Sequence, residues 1–352
     1  MRPTRLLSVV LVAVMVLTLG LMISTPVAAV KGSYPGRNGR IAFYAPDPQG
    51  GDYEVFVMNE NGGGVQQLTH NDVSDHDPCW SPDGTRIAFS SDDQIWVMDS
   101  DGSNLQGPLT TPNKADDWYD DQPAWSPDGS KIAFIRNYLD FHYHYLYVIG
   151  ADGSNLAGLL TDENDVYDPH WSLDGTVIAV GIGANLALVN PTPPGSVIAQ
   201  TDWHHEMTVE SLSWSPDNSR IAFSLSAWST GHSEIYWMKS DLTGAMTPLT
   251  TNPLSSGAPD WSPDGTKIIF DRETTSVWIM NADGSEAHDL TPTMSDAGNP
   301  DWQRLPAASV VPVGGFVEAV NKVAVLVPWL AIVGSIAAIS VVVVKTWKKP
   351  ED

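Results

Sequence analysis

The sequence of 352 residues is poor in cysteine and in positive charge. Because Cys79 is the only cysteine, no disulfide can form within the chain. Only 18 lysine and arginine residues stand against 42 aspartate and glutamate residues, which gives a formal net charge of −24. Such a surface repels nucleic acid and anionic lipid, and it favours metal cations or basic partners. The chain also lacks a G-x-S-x-G segment, so the nucleophile elbow of serine hydrolases is excluded.

Long charge-free apolar runs occur only near the two ends. At the amino terminus, Arg2 and Arg5 precede an apolar run at residues 6–23, and the small residues Val-Ala-Ala follow at 27–29. This order of charge, apolar run and small residues predicts a secretory signal peptide at residues 1–29. An uncleaved membrane anchor is the alternative interpretation of the same run.

Near the other end, residues 323–344 form a run of 22 residues without a charge. At 1.5 Å per residue such a helix extends about 33 Å, enough to cross a bilayer. The lysine-rich tail at 345–352 is expected to stay in the cytoplasm. We therefore predict a single-pass membrane protein, in which a linker at 307–322 tethers a domain at 30–306 outside the cytoplasm, at the cell surface or in the periplasm.

The domain is organised by a repeated pentapeptide, Trp-Ser-Pro-Asp-Gly. Its tryptophans are 41 to 47 residues apart, a spacing typical of one supersecondary unit that is repeated. Two copies each depart at one position, where Leu173 replaces proline and Asn218 replaces glycine, and the last copy lacks the turn. The six copies begin at Trp80, Trp125, Trp171, Trp214, Trp261 and Trp302.

Each repeat contains the pattern of short antiparallel strands. After the first complete turn come the apolar runs at 87–89 and 95–98, then an Asp-Gly turn, then the pair Leu109-Thr110. Strands of this length separated by such turns form hairpins, and four strands per unit form a propeller blade. Trp fills the space between blades, while Pro and Gly set the turn conformation. We therefore assign a structural role to the motif residues themselves.

The two ends of the array complete one another. The unit before Trp80 has three strands and no tryptophan of its own, whereas Trp302 lies on a strand with no unit behind it. The sequence therefore predicts an all-β fold: a six-bladed β-propeller of four-stranded antiparallel blades, closed by pairing of the N- and C-terminal strands. Closure removes the exposed sheet edges that promote aggregation.

The pattern D-x-x-P-x-W-S-P-D-G, followed by I-A-F and later by D-G-S, resembles the TolB-like (WD-like) propeller repeat. A similar repeat occurs in the N-terminal propeller of dipeptidyl peptidase IV-type enzymes. The resemblance covers residues 39–303. It implies the propeller fold and little about function, since one fold hosts many roles. TolB has an α/β domain before its propeller and the peptidases have a hydrolase domain; we expect neither in this chain.

Propeller geometry places the repeat turns at one face and the connections between blades at the other. Carboxylates, imidazoles and aromatic rings gather in the connections, where ligand sites usually form. The candidate binding residues are Asp75, His76, Asp116, Asp117, Trp118, Tyr119, Asp120, His142, His144, Asp165, Tyr167, His204, His205 and Glu206. The alternative is that these loops are merely polar, and that the repeat aspartates Asp77, Asp121 and Asp168 bond backbone groups at the strand entrances.

No catalytic residue and no required cofactor is predicted. The clustered ligand types suggest one hypothesis, a divalent cation that bridges acidic loops of neighbouring blades and makes the melting temperature sensitive to chelators. The favoured function is a non-enzymatic module that binds a protein, a peptide or an envelope polymer near the membrane. A metal-assisted lyase or hydrolase acting on extracellular carbohydrate or peptide is the alternative. A purely architectural spacer is the third interpretation.

Overall fold

The computed structural model describes residues 36–112, 118–138, 143–161, 165–203, 207–227, 229–273 and 275–306. These residues contain 23 strands in six antiparallel sheets and no helix. Consequently no helix capable of crossing a membrane is found among them. The predicted signal peptide, linker, transmembrane helix and tail lie outside the described residues.

The six sheets follow one another along the chain as blades 1 to 6. Blade 1 consists of β1 (Arg37–Pro46), β2 (Tyr53–Met58), β3 (Gln66–Gln67) and the last strand, β23 (Gly298–Leu305). Blade 2 consists of β4 (Asp75–Trp80), β5 (Arg86–Ser91) and β6 (Gln94–Asp99). Blade 3 consists of β7 (Trp118–Trp125), β8 (Lys131–Tyr138), β9 (Tyr143–Gly150) and β10 (Ala157–Leu160).

The remaining three blades have four strands each. Blade 4 consists of β11 (Val166–Trp171), β12 (Ile178–Ile182), β13 (Asn185–Val189) and β14 (Val197–Gln200). Blade 5 consists of β15 (Met207–Trp214), β16 (Arg220–Ala227), β17 (His232–Lys239) and β18 (Thr247–Pro248). Blade 6 consists of β19 (Ser256–Trp261), β20 (Lys267–Arg272), β21 (Ser276–Asn281) and β22 (His288–Asp289).

The predicted ring closure is confirmed. Strand β23 pairs antiparallel with β1 in a register that places Ile41 opposite Trp302 and Arg37 opposite Leu305. The C-terminal strand thus becomes the innermost strand of the blade that the N-terminal residues begin. All six blades and their closure lie within residues 36–306, so this part of the chain is a complete ring.

Blade 2 departs from the predicted four strands. Its sheet has three, and the outer strand is reduced to a single bridge between Val97 and Gln106. Gly107 and Pro108 follow directly, and proline has no N–H to donate to a further ladder bond. The other five sheets have the predicted four strands.

The repeat tryptophans fill the space between neighbouring blades, as predicted. Trp80 is 5% exposed and packs against Val55 and Leu68 of blade 1 as well as Ile87 and Phe89 of its own blade. Burying an apolar side chain of this size contributes roughly 1.5–3 kcal/mol. The tryptophan stripe therefore stabilises the ring as a whole, since each member joins two blades.

The threonine of each Leu-Thr pair caps a buried backbone group. Its hydroxyl oxygen accepts a backbone N–H in the first half of the blade's third strand, at 2.9–3.1 Å, in blades 1, 2, 4, 5 and 6. Blade 4 keeps this bond through Thr201, although Gln200 replaces the leucine. The bond explains the recurring threonine, because a buried N–H without a partner is costly.

Candidate functional site

The propeller has two ends with different loops. We call the end with the connections between blades, and with hairpins such as that at residues 91–94, the connection face. The opposite end, which carries the Ser-Pro-Asp-Gly turns such as that at residues 81–84, is the turn face. A hydrogen bond from Ser100 N–H to the Thr85 carbonyl joins two turns at this end. The innermost strands β4, β7, β11, β15, β19 and β23 enclose a central channel between the faces.

Each innermost strand has a β-bulge just before its tryptophan, where the strand register shifts. Three positions before the tryptophan, φ is positive in five blades, with values from 43° to 51°. None of these residues is glycine; they are Asp77, Gln122, Asp168, Ala258 and Asn299. All five line the channel, so the bulge turns this part of every strand towards the lumen.

Hydrogen bonds between blades connect the bulges around the channel. The Asp77 carboxylate accepts the N–H of Gln122 at 3.3 Å, and the Gln122 side chain accepts the N–H of Asp168 at 2.8 Å. Asp168 in turn accepts the N–H of Leu212 at 2.6 Å. The prediction that repeat aspartates bond backbone groups is therefore confirmed for Asp77 and Asp168, with the partner in the next blade.

Blade 6 closes this ring of bonds in another way. Ala258 has no side-chain acceptor, and the backbone N–H groups of Gly257 and Asn299 instead bond the carboxylate of Asp271 on β20. Burial raises the pKa of Asp271 to about 6 despite these two bonds. The Asn299 side chain then bonds Asp77, which returns the ring to blade 2.

The channel cavity, of about 240 Å³, is strongly acidic. Its lining has seven carboxylates and one imidazole, His170, and includes neither lysine nor arginine among the described residues. The carboxylates belong to Asp77, Asp168, Glu210, Asp260, Asp271, Glu273 and Asp301. Such a concentration of one charge in a partly desolvated space favours a cation over an anion or a neutral apolar ligand.

Two of the channel carboxylates lie on adjacent blades, and each bonds the backbone of the next. Asp260 accepts the N–H of Trp302 at 2.8 Å, and Asp301 accepts the N–H of Trp80 at 2.6 Å. Burial raises the pKa of Asp260 to about 8, and the charge of Asp301 adds to the rise. Burial likewise raises the pKa of Asp301 to about 6.

His170 lies among these carboxylates. Burial lowers its pKa, but the charge of Asp168, whose Oδ2 is 3.7 Å from Nε2, together with Asp260 and Asp301 outweighs burial and raises the pKa. The imidazole therefore holds a proton more readily than in water, and part of the negative charge of the channel is offset.

Cys79 also lines the channel, one position before Trp80 on β4. Burial raises the pKa of its thiol well above the usual range, and the charge of Asp301 adds to this. The thiol therefore stays protonated, and its side chain contacts both the lumen and the core.

At the connection face the channel opens into a mouth pocket of about 580 Å³. The two cavities share Asp77, Gln122 and Asn299 in their walls, so they adjoin at these residues. Tyr44 and His76 stand at the rim with ring centroids 4.9 Å apart. Tyr53 packs against both rings, at 5.4 and 5.0 Å. The mouth therefore combines carboxylates with aromatic faces.

Four candidate residues from the sequence lie at or beside this mouth. His76 and Tyr119 line the pocket, and burial raises the pKa of Tyr119 to about 12. Asp120 forms part of the wall but is buried, and Arg136 bonds both of its oxygens at 2.6 and 2.7 Å. Asp75 is also fully buried. His76 and Tyr119 are therefore accessible from the mouth pocket, whereas Asp75 and Asp120 have interior positions.

Other candidates gather on blades 3 and 4. The His144 ring lies 4.7 Å from that of Tyr167, and its backbone forms a bridge with Asp165. His144 Nδ1 bonds Asn137, whose amide also donates to Asp121 in the mouth pocket at 2.8 Å. This series of contacts links the blade 3 and blade 4 candidates to the mouth. Asp121 thus bonds a side chain, where the sequence predicted a backbone group.

Trp118 belongs to a separate aromatic group. It stacks on Tyr138 and Tyr145, with centroids at 5.3 and 5.9 Å, and does not contribute to the mouth pocket. The candidates Asp116, Asp117, His142, His204, His205 and Glu206 lie outside the described residues.

Sequence reasoning missed the lining of the channel itself. It did not single out Tyr44, His170, Asp260 or Asp301, all of which line the two cavities. A signal was present: the position just before each tryptophan holds a polar or small residue in every repeat. These six residues are Cys79, Ala124, His170, Ser213, Asp260 and Asp301.

Comparison with known proteins agrees with this geometry. A family model described as the TolB beta propeller domain matches residues 38–142. The chain carries TolB-like propeller repeats. The solved structure of TolB from Acinetobacter baumannii is 19% identical with a TM-score of 0.62, over 75% of this chain and 66% of that one. Hydrazine synthase of Kuenenia stuttgartiensis is 15% identical with a TM-score of 0.62, over 77% of this chain and 47% of that one.

A curated relative is an uncharacterized peptidase, YuxL, of Bacillus subtilis (strain 168). It is 26% identical over 238 residues, which is 67% of this chain but 27% of the peptidase. The chain thus spans about a quarter of the peptidase and just under two thirds of the Acinetobacter TolB. At these identities the solved structures establish a shared propeller fold, and function has to be argued from the site.

Proposed function

We propose that this TolB-like propeller is a non-enzymatic binding module whose connection face holds a cationic segment of a protein or peptide. One observation carries the proposal: the adjoining mouth pocket and channel cavity are together lined by eleven carboxylates and two imidazoles, with neither lysine nor arginine among the described lining residues. A lysine or arginine side chain that enters this space relieves the repulsion between the carboxylates. An acidic or neutral segment does not.

The aromatic rim supports a cationic partner for a second reason. Tyr44, Tyr53 and His76 form a compact group beside the carboxylates of the mouth. The face of a tyrosine ring attracts an ammonium or guanidinium group within about 6 Å, by roughly 0.5–2 kcal/mol according to its solvation. Carboxylates and aromatic faces at one opening suit a segment in which basic residues alternate with apolar ones.

The channel groups are poorly arranged for catalysis. Efficient nucleophilic catalysis needs a thiolate or an activated hydroxyl, and the pKa of the Cys79 thiol is raised rather than lowered. Asp168 and His170 are 3.7 Å apart, beyond the roughly 2.6–3.2 Å of an orienting hydrogen bond. We therefore propose that the described channel residues bind a partner and do not transform it.

We further propose that the propeller lies outside the cytoplasm and is tethered to the membrane. This rests on the sequence alone, on the predicted signal peptide at 1–29 and the apolar run at 323–344. Protease treatment of intact cells and of lysed cells tests it. Digestion of the propeller in intact cells or spheroplasts is expected, and complete protection until lysis would contradict the proposed location.

The binding proposal is tested with the purified chain and fluorescent peptides in which lysine alternates with leucine or tyrosine. The informative variant is Asp92→Asn/Asp93→Asn, which removes two charges that line the mouth. Both residues have positive φ, 47° and 65°, a conformation that asparagine also adopts readily. The matched control is Asp101→Asn/Asp283→Asn, which removes two charges from exposed turns on the turn face.

At low salt we expect the mouth variant to bind the lysine-containing peptide about tenfold more weakly than the wild-type chain does. We expect the control variant to bind it with unchanged affinity. A peptide in which every lysine is replaced by glutamate should not bind at all. Equal losses in the two variants, or equal binding of the acidic peptide, would show that the connection face is not the binding surface.

A further inference from the structure

Two fully buried carboxylates lie between blades 1 and 2, and no cationic side chain of the described residues forms an ion pair with either of them. Glu54 on β2 and Asp75 on β4 are both 0% exposed. Asn71 bonds one oxygen of each: its N–H donates to Glu54 Oε1 at 2.9 Å and its Nδ2 donates to Asp75 Oδ2 at 2.8 Å. The remaining oxygens, Glu54 Oε2 and Asp75 Oδ1, have no hydrogen-bond partner among the described residues.

The neighbouring blade shows how the fold compensates the same carboxylate elsewhere. Asp120 occupies in blade 3 the position of Asp75 in blade 2, five residues before the tryptophan. The residue opposite Asp120 is Arg136, which bonds both carboxylate oxygens. The residue opposite Asp75 is Ser91. Blade 2 therefore keeps the buried carboxylate and lacks the guanidinium.

The charge of Glu54 is likewise more than the fold requires. Asn185 occupies the same position in blade 4, and its side-chain oxygen accepts the N–H of Trp203 at 2.8 Å. That donor lies two residues after the capping threonine, as Asn71 does in blade 1. A neutral amide thus performs the structural role. This structural role therefore requires neither the second oxygen of Glu54 nor its negative charge.

Two further carboxylates converge on Glu54 from the loop between β1 and β2. Asp47, Asp52 and Glu54 each offer one oxygen, and these oxygens lie within 4.8 Å of one another. The loop is held by a bond from Asp47 N–H to the Asp52 carbonyl at 2.9 Å. Two oxygens that bind one calcium ion at about 2.3–2.6 Å are at most about 5 Å apart, so the spacing suits a single ion.

We propose that Asp47, Asp52 and Glu54 bind a hard divalent cation, calcium in the first instance, whose charge also compensates Asp75. The donors are all carboxylate oxygens, which favours calcium or magnesium over zinc or copper. The site joins the hairpin of blade 1 to the first strand of blade 2. It also adjoins the mouth, since Tyr53 follows Asp52 directly and Tyr53 N–H bonds Ser74 at 3.3 Å.

The test uses the purified full chain after removal of metals with EDTA. Calorimetric titration with calcium chloride is expected to show one ion bound per chain, and calcium should raise the melting temperature in a manner that EDTA reverses. Asp47→Asn/Asp52→Asn is expected to weaken calcium binding at least tenfold. The control is Asp101→Asn/Asp283→Asn, which removes the same charge from exposed turns on the turn face and should keep full affinity.

Glu54→Gln provides an independent check within the buried part of the site. Glutamine retains an oxygen for the Asn71 N–H, so the variant should fold and lose the calcium response. Glu234→Gln, at the same position in blade 5, should retain it. The proposal is overturned if the wild-type chain binds neither calcium nor magnesium, or if binding persists undiminished in both Asp47→Asn/Asp52→Asn and Glu54→Gln.

Discussion

The backbone N–H of Leu173 donates a hydrogen bond to the side-chain oxygen of Asn218 at 2.9 Å. These residues are the two internal departures from the Trp-Ser-Pro-Asp-Gly repeat, and they occupy neighbouring turns. In the regular turns a proline packs against the glycine of the next blade, as Pro216 does against Gly265. A proline at 173 would have no backbone N–H to donate this bond, and a glycine at 218 would have no side-chain oxygen to accept it. The two departures therefore compensate each other.

This relationship predicts coupling between the two positions. Asn218→Gly should cost about 0.5–1.5 kcal/mol of unfolding free energy because the Leu173 N–H loses its partner. Leu173→Pro should also destabilise, since its ring meets the Asn218 side chain. The double variant restores the regular Pro–Gly pair, so its loss should be smaller than the sum by roughly 1 kcal/mol. Urea unfolding of the four proteins measures this, and strictly additive losses would show that the pair does not interact.

The repeats predict the blade count, the closing strand and the role of the tryptophans, because each depends on local pattern and spacing alone. Both departures were visible in the sequence, but their pairing was not. Residues 173 and 218 meet only because the ring brings the turn of each blade against that of the next. The role of Asp271 could not be predicted from the sequence for the same reason. It lies on β20 and supplies the carboxylate acceptor that Ala258 on β19 lacks.

The site was less predictable than the fold. Loop composition singled out His76 and Tyr119, and both line the mouth pocket. It could not separate them from Asp75 and Asp120, because burial in a propeller depends on which way the bulged strand turns each side chain. The bulge lies inside the regular repeat and has no distinctive residue type: aspartate, glutamine, alanine and asparagine all occupy it.

Removal of the hydroxyl of a capping threonine is predicted to lower the free energy of unfolding markedly, although the side chain keeps its shape. Thr110→Val keeps the shape of the side chain but removes the oxygen that accepts the Ile95 N–H at 3.0 Å in the core. An unpaired buried N–H costs about 1–3 kcal/mol. Thr243→Val is the control, because that hydroxyl bonds Asp241 in an exposed turn, and its effect should stay within about 0.5 kcal/mol. Equal effects in chemical denaturation would contradict the proposed capping role.

The raised pKa values of the channel groups predict that stability falls as the pH rises from 5 to 9. Folding raises the pKa of Asp260 to about 8 and that of Asp301 to about 6, and it also raises the pKa of His170. A group whose folded pKa is raised stabilises the fold at low pH, and its contribution is lost as pH rises through the folded value. All three groups act in the same direction, so the melting temperature should fall between pH 5 and pH 9.

Asp260→Asn provides the control for that pH dependence. Asparagine still offers an oxygen to the Trp302 N–H but cannot ionise, so the decline in melting temperature above pH 6 should become shallower. Asp283→Asn on the turn face should leave the profile unchanged. A melting temperature that rises with pH in this range, or an unaltered slope in Asp260→Asn, would mean that the channel carboxylates do not control it.

The location of binding is the most direct test of the proposed function. Hydrogen–deuterium exchange of the purified chain should be compared with and without a bound lysine-rich peptide. Protection is predicted at the hairpin at residues 91–94, at the first residues of β4 and at Tyr119 on β7, all on the connection face. The turns at residues 81–84 and 126–129 should exchange unchanged. Protection confined to the turn face, or none at saturating peptide, would contradict an acidic channel mouth as the binding site.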